Sequence, residues 1–258
     1  MPANYALHRF GSEAIRQLPA DIQRLAQRFR RIYNGGLHGQ DLFFYYSPMG
    51  KSAVGALYGT YNRMTGREYF SHACNWLKQN PSEGGTACLY GLLAHYCLKS
   101  CLAPLLAAET ADGNVSRVEL EVELDRYLLF LDDKAPAHTQ DPIPGLKMTR
   151  GECVTVSGFF EPATVKQYYR AYKNMLRWVR RMSAKKRGFA RLLLSLTRRE
   201  FRSQMMPDCA NHKCIHLDKP MLECYERALE RYPAMARQLT EFREKGIPLG
   251  EEFDAAIE

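Results

Sequence analysis

His95 and Lys99 lie four residues apart, as do Arg117 and Glu121, and Asp125 follows Glu121 by another four. In an α-helix that spacing stacks side chains on one face. A helix through position 95 would carry His95, Lys99 and Ala103 in a row, and a helix through position 121 would carry Arg117, Glu121 and Asp125. Packed side by side, the rows bring an imidazole, an ammonium, a guanidinium and two carboxylates into one seam. Buried charges persist only when paired or bound to metal, so such a seam is an ion-pair network or a remodelled metal site. If the rows face water instead, the same residues are ordinary surface charges. Cys209, His212, Cys214 and His216 form a second group of ligand types, with a spacing tighter than a familiar zinc finger. His72 and His138 stand alone and read as surface or satisfied core residues. No Gly-rich phosphate loop, no Gly-x-Ser-x-Gly and no nucleophile with a matched base is present.

These groups need helices to position them, and the periodicity supplies helices throughout. Ile15, Leu18, Ile22, Leu25, Phe29 and Tyr33 recur at steps of three and four, predicting an amphipathic helix over Glu13 to Tyr33 that Pro19 divides. Asn34-Gly35-Gly36 reads as its terminator, and the apolar run Leu42 to Tyr46 re-enters the core. Further helices are predicted over 53–64, 68–78, 86–106, 117–131, 163–182, 188–203 and 220–243. No alternating strand pattern competes with them. Asp132 to Gly151, with Pro136, Pro142 and Pro144, is the longest expected loop. The fold class that follows is all-α, a multi-helix bundle forming one domain over residues 1–258.

Composition narrows the setting. The 258 residues carry a 46% apolar share, enough for one sizeable core. No run reaches the roughly 18 apolar residues of a membrane span, and Met1 to Gly11 lacks a secretion signal, so a cytoplasmic protein is expected. The 8 cysteines are expected to be free thiols, since a disulfide framework suits short secreted chains. The net charge of +8 is concentrated in Arg177, Arg180, Arg181, Lys185, Lys186, Arg187, Arg191, Arg198, Arg199 and Arg202. That stretch is either a solvated helix face or a contact surface for anionic lipid or nucleic acid, which would make the protein peripheral at the membrane.

Several segments together carry a family resemblance. They are Met1-Pro2, His8-Arg9-Phe10-Gly11, the run from Gly36 through Gln40-Asp41 to Tyr45, the run from Gly91 through His95 to Leu98, Glu121 to Asp125, and Asp208 to Asn211. In these the chain resembles the zinc-dependent phospholipase C family, whose members are all-helical and hold three zinc ions that activate water against a phosphodiester. The resemblance implies that His8, Asp41, His95 and Glu121 fall on metal-ligand positions. It also implies four replacements: Asn62, Ala103 and Arg117 stand where the family has histidine, and Lys99 stands where it has the aspartate bridging two metals. Gln40 replaces the proline of the family's Gly-Pro-Asp.

An ammonium at a bridging position repels a divalent cation. With Ala103 and Arg117, the zinc at Glu121 would keep one protein ligand, below the three or four zinc takes. The resulting expectation is a divergent, non-catalytic member without a cofactor, in which Lys99 neutralises Asp41 and Arg117 pairs with Glu121. Such a protein would bind anionic phospholipid or another phosphate ester in the old cleft. The alternative is an active phosphodiester or phospholipid hydrolase with a reduced metal set, in which His8, Asp41 and His95, helped by His38 or Asn62, hold one zinc.

Overall fold

The computed structural model describes residues 4–47, 52–134, 136–141, 143–181, 203–207 and 209–257. Ten α-helices are described: α1 Asn4–Ile15, α2 Ala20–Arg28, α3 Arg30–His38, α4 Ala53–Asn62, α5 Gly66–Gln79, α6 Glu83–Thr110, α7 Arg117–Leu131, α8 Arg150–Ser157, α9 Val165–Arg181 and α10 Asp218–Lys245. Among the described residues there is no strand, only an isolated antiparallel bridge between Thr65 and Ala256. The all-α class is therefore correct.

α6 is the axis of the bundle. It is buried along most of its length and packs against α3 and α10, with α1 and α2 on its flanks. By length and composition α6 could cross a membrane, but 67% of its most apolar window is buried inside the fold. One contiguous apolar cluster joins it to every other helix layer, from Phe10 and Leu37 to Tyr232 and Phe253.

The starts of three helices are fixed locally by reciprocal capping boxes: Thr65 with Glu68, Ser116 with Glu119 and Thr149 with Glu152. In each, the hydroxyl accepts an orphan N–H of the first turn and the glutamate accepts the N–H of the cap. α7 begins and ends where periodicity placed it, and α4, α5, α6 and α10 differ from expectation by a few residues at their ends.

Two expectations at the N-terminal end are corrected. The helix expected from Glu13 is three helices, because α1 starts at Asn4 and the backbone breaks again at Phe29 (φ −104°, ψ 38°). Gly35 and Gly36 do not end a helix. α3 runs through them to His38 and stops at Gly39, whose φ of 39° favours glycine. The glycines serve packing: a Cβ on Gly36 would lie 2.5 Å from the Cys88 carbonyl oxygen, and one on Gly91 would strike the Tyr33 carbonyl. α3 and α6 thus touch backbone to backbone.

The expected loop over 132–151 is short of regular structure but anchored. Ile143, Leu146 and Met148 are buried, the Asn34 side-chain amide donates to the Gly145 carbonyl at 2.9 Å, and Asp132 takes the Tyr5 hydroxyl at 2.6 Å. α8 follows it, a helix the periodicity did not predict. In the basic stretch, Arg177 is exposed on α9, and Arg180 and Arg181 belong to the same helix. Lys185, Lys186, Arg187, Arg191 and the helix expected over 188–203, Ser203 apart, lie outside the described residues.

Candidate functional site: a buried polar core between α3, α6 and α7

The 3-10 turn Gly39–Tyr45 continues from α3 and packs mainly on α4 and α9, and its Gln40 side chain reaches His95 on α6. The His95 Nδ1 lies 2.8 Å from the Leu37 carbonyl oxygen, an acceptor only, so Nδ1 carries the proton. That tautomer leaves the Nε2 lone pair facing inward. It accepts from the Gln40 amide nitrogen at 3.2 Å, whose other hydrogen goes to the Asn62 oxygen at 2.7 Å. The Tyr69 hydroxyl donates to the Gln40 oxygen at 3.3 Å. Gln40, Asn62, His95 and Tyr69 thus form one buried neutral network joining the 3-10 turn to α4, α5 and α6.

One turn further along α6, Lys99 is wholly buried, and its ammonium lies 2.6 Å from the Glu121 carboxylate on α7, itself 1% exposed. Arg117 flanks the same oxygen at 3.5 Å from the rim, with its side chain 27% exposed. The expected partner of Lys99 is corrected in part: Lys99 goes to Glu121, while the expected pairing of Arg117 with Glu121 is present. Asp41 is buried in the same region, since Asp41 and Glu121 together reinforce what burial does to the Tyr45 hydroxyl and push its pKa up. Ala103 is partly exposed, beyond the charged part of the seam.

His38 is a member that the spacing of the seam did not single out. It ends α3, is almost fully buried, and its Nδ1 has no hydrogen-bond partner among the described residues. Burial, then the repulsion that a protonated ring would meet from His95 and His8 when these are charged and from the Lys99 ammonium, brings its pKa down to about 3, so the ring is neutral. The sequence signal was its position beside Gly39-Gln40-Asp41. Tyr69 had no such signal, because it reaches the site only through the packing of α5.

His8 is half-buried on α1, and its ring packs over Gly145. Burial, then Arg30 and Lys134, hold its pKa below the usual histidine value. Asp125, the third residue of the α7 row, serves α1 instead: its carboxylate accepts the Ala6 N–H at 2.8 Å, and burial raises its pKa to about 7.

As the side chains stand, two of these donors are engaged by protein partners. An ammonium holds Glu121, the Gln40 amide holds the His95 lone pair, and among the described residues no three His, Cys, Asp or Glu gather within reach of one ion. The Cys209, His212, Cys214 and His216 group is also spread apart. Cys214 is buried, while Cys209, His212 and His216 are exposed, and His216 lies 4.0 Å from Glu109. All eight cysteines are free.

A second ionic cluster was not foreseen. Arg126 links Glu123 at 2.7 Å to Asp218 at 2.9 Å, and the Asn211 N–H donates to the other Glu123 oxygen at 3.1 Å. It ties α10 and the segment before it to α7.

Compared with models of known families, with curated proteins and with solved structures, the chain matches none.

Proposed function

We propose that this chain is a divergent protein of the zinc-dependent phospholipase C type in which an ancestral metal centre has become a salt-bridged polar core, and that it binds an anionic lipid surface or phosphate ester without hydrolysing it. The observation that carries the reading is the buried ion pair of Lys99 with Glu121. Lysine supplies there the positive charge that a metal would otherwise bring to the carboxylate, in a place where an unpaired carboxylate would cost several kcal/mol. The Gln40 amide on His95 supports it in the same way, since it engages the one ring nitrogen able to bind a metal.

The binding half rests on charge. Arg177 is exposed on α9, and the chain around it is the most basic in the sequence. Each cation at an anionic membrane surface contributes about 1 kcal/mol, screened over roughly 8 Å at physiological salt.

Two measurements test the two halves. Elemental analysis of protein purified without chelator should find well under one zinc per chain. A tightly held zinc lost in Asp41→Ala or His95→Ala protein would overturn the metal-free reading. Sedimentation with vesicles containing phosphatidylserine should show binding that releases as salt rises and disappears in an Arg180→Glu, Arg187→Glu, Arg191→Glu variant. No binding at low salt would sink the lipid reading, and release of phosphorylated headgroup that Asp41→Asn abolishes would move the protein to the hydrolases.

A further inference from the structure

Where α6 crosses α10, three cysteines and two arginines meet far from the polar core. Cys97 and Cys101 are one turn apart on α6, and Cys224, Arg227 and Arg231 follow one another along α10. The Arg231 guanidinium lies 3.4 Å from the Cys101 sulfur, and Arg227 lies 3.4 Å from that of Cys224. Cys97 and Cys224 are buried, whereas Cys101 is partly exposed. Only one of the three sulfurs is thus both beside a cation and open to reagents.

We propose that Cys101 is the reactive thiol of this protein, a site of oxidation by hydrogen peroxide and of alkylation, with Arg231 as the positioning residue that holds its thiolate. Reactivity of a cysteine follows its thiolate fraction and its accessibility, and a neighbouring guanidinium raises the first. The single S–H of Cys97 has two acceptors in reach, the Ala228 carbonyl at 3.2 Å and the Cys101 sulfur. Cys97 keeps its proton with either, and the guanidinium 3.4 Å from Cys101 favours the thiolate there. The hydrogen bond from Cys97, and then Arg231 and Arg227, hold the Cys101 pKa below the usual thiol value against the effect of burial. Burial pushes Cys224 up.

In the oxidation the Cys101 thiolate attacks one peroxide oxygen. An S–O bond forms, the O–O bond breaks, sulfur loses two electrons to the peroxide, and the departing hydroxide combines with the proton that the thiol released on ionising, giving water. The product is a sulfenic acid. Cys97 does not resolve it into a disulfide, because Cβ atoms four apart on a helix are about 5–6 Å from each other and a disulfide wants about 3.5–4.5 Å. Dimedone present during the oxidation captures the sulfenic acid as it forms.

The test uses the full-length protein at pH 7 with one equivalent of hydrogen peroxide and dimedone present, followed by peptide mapping. Exposed Cys209 is the internal reference. Dimedone should be found on Cys101 at about tenfold the level on Cys209, which corresponds to about one pKa unit of thiolate. Iodoacetamide should alkylate Cys101 faster than Cys209 at pH 7. Arg231→Gln should slow Cys101 about tenfold and leave Cys209 unchanged, while Arg231→Lys keeps most of the rate. Labelling that favours Cys209 in the wild-type protein overturns the proposal without recourse to a variant. An Arg231→Gln rate equal to wild type also overturns it.

Discussion

Replacing Lys99 by Met removes one partner of a wholly buried ion pair and keeps the bulk of the side chain. Breaking such a pair typically costs about 3–5 kcal/mol, because the remaining charge stays desolvated. Arg117, at 3.5 Å from the same Glu121 oxygen, keeps part of the stabilising field, so the lower end, about 3 kcal/mol, is expected. Glu121→Met alone should also destabilise, since it removes the carboxylate 2.6 Å from the buried ammonium. The double variant puts two apolar side chains of similar volume together and should regain most of the loss, giving a coupling of about 2–3 kcal/mol. Arg117 provides the comparison. It approaches the same carboxylate from the rim, so the Arg117→Met, Glu121→Met cycle should give about 1 kcal/mol or less. Urea unfolding of the five proteins, with the wild type as reference, yields both cycles. A Lys99–Glu121 coupling below about 0.5 kcal/mol, or one smaller than that of Arg117, would refute the assignment of this pair as the centre of the polar core.

Two further outcomes follow from the titrating groups and one from the helix contact. The folded pKa of Asp125, about 7, lies above the usual carboxylate value of about 3.9, so its stabilisation is present below pH 4 and lost as pH rises towards 7. Asp125→Asn should therefore gain on the wild type by about 1.4 kcal/mol per pH unit across that window, read from urea midpoints; a flat difference would mean Asp125 is charged in the fold. For His38 the sign is opposite: its folded pKa of about 3 lies below the unfolded value near 6.5, so stability is present above pH 6.5 and lost as pH falls. His38→Gln should thus improve relative to wild type as pH drops from 6.5 to 4, and a parallel pH profile would show the ring is solvated. Gly91→Ala should lower the melting temperature through a loss of about 1–3 kcal/mol by overpacking against the Tyr33 carbonyl. Gly151→Ala, in the exposed first turn of α8, should be neutral or stabilising; equal effects of the two would contradict the close contact of α3 with α6.

Local chemistry in the sequence determined the helical class and most helix positions. α7 is legible because Ser116 and Glu119 cap it and its leucines recur at helical spacing. α8 carried the same start signal in Thr149 and Glu152, but one short helix after a proline-rich run gives periodicity too little length to register. The candidate residues were legible as well, since spacing put His95 in line with Lys99 and Arg117 in line with Glu121. Tertiary structure decided the rest. Asp125, 119 residues from Ala6, accepts the Ala6 N–H and ties α1 to α7, a contact that no local pattern announces. Gly35-Gly36 carries a turn signal, yet the pair stays helical because the absent Cβ atoms let α3 lie against α6. That approach sends His95 towards α3 and the Gln40 of the turn that follows it, and leaves Lys99 facing α7. Spacing along one helix fixes which side chains share a face, but only the crossing of helices fixes the partner across it, and so Lys99 meets Glu121.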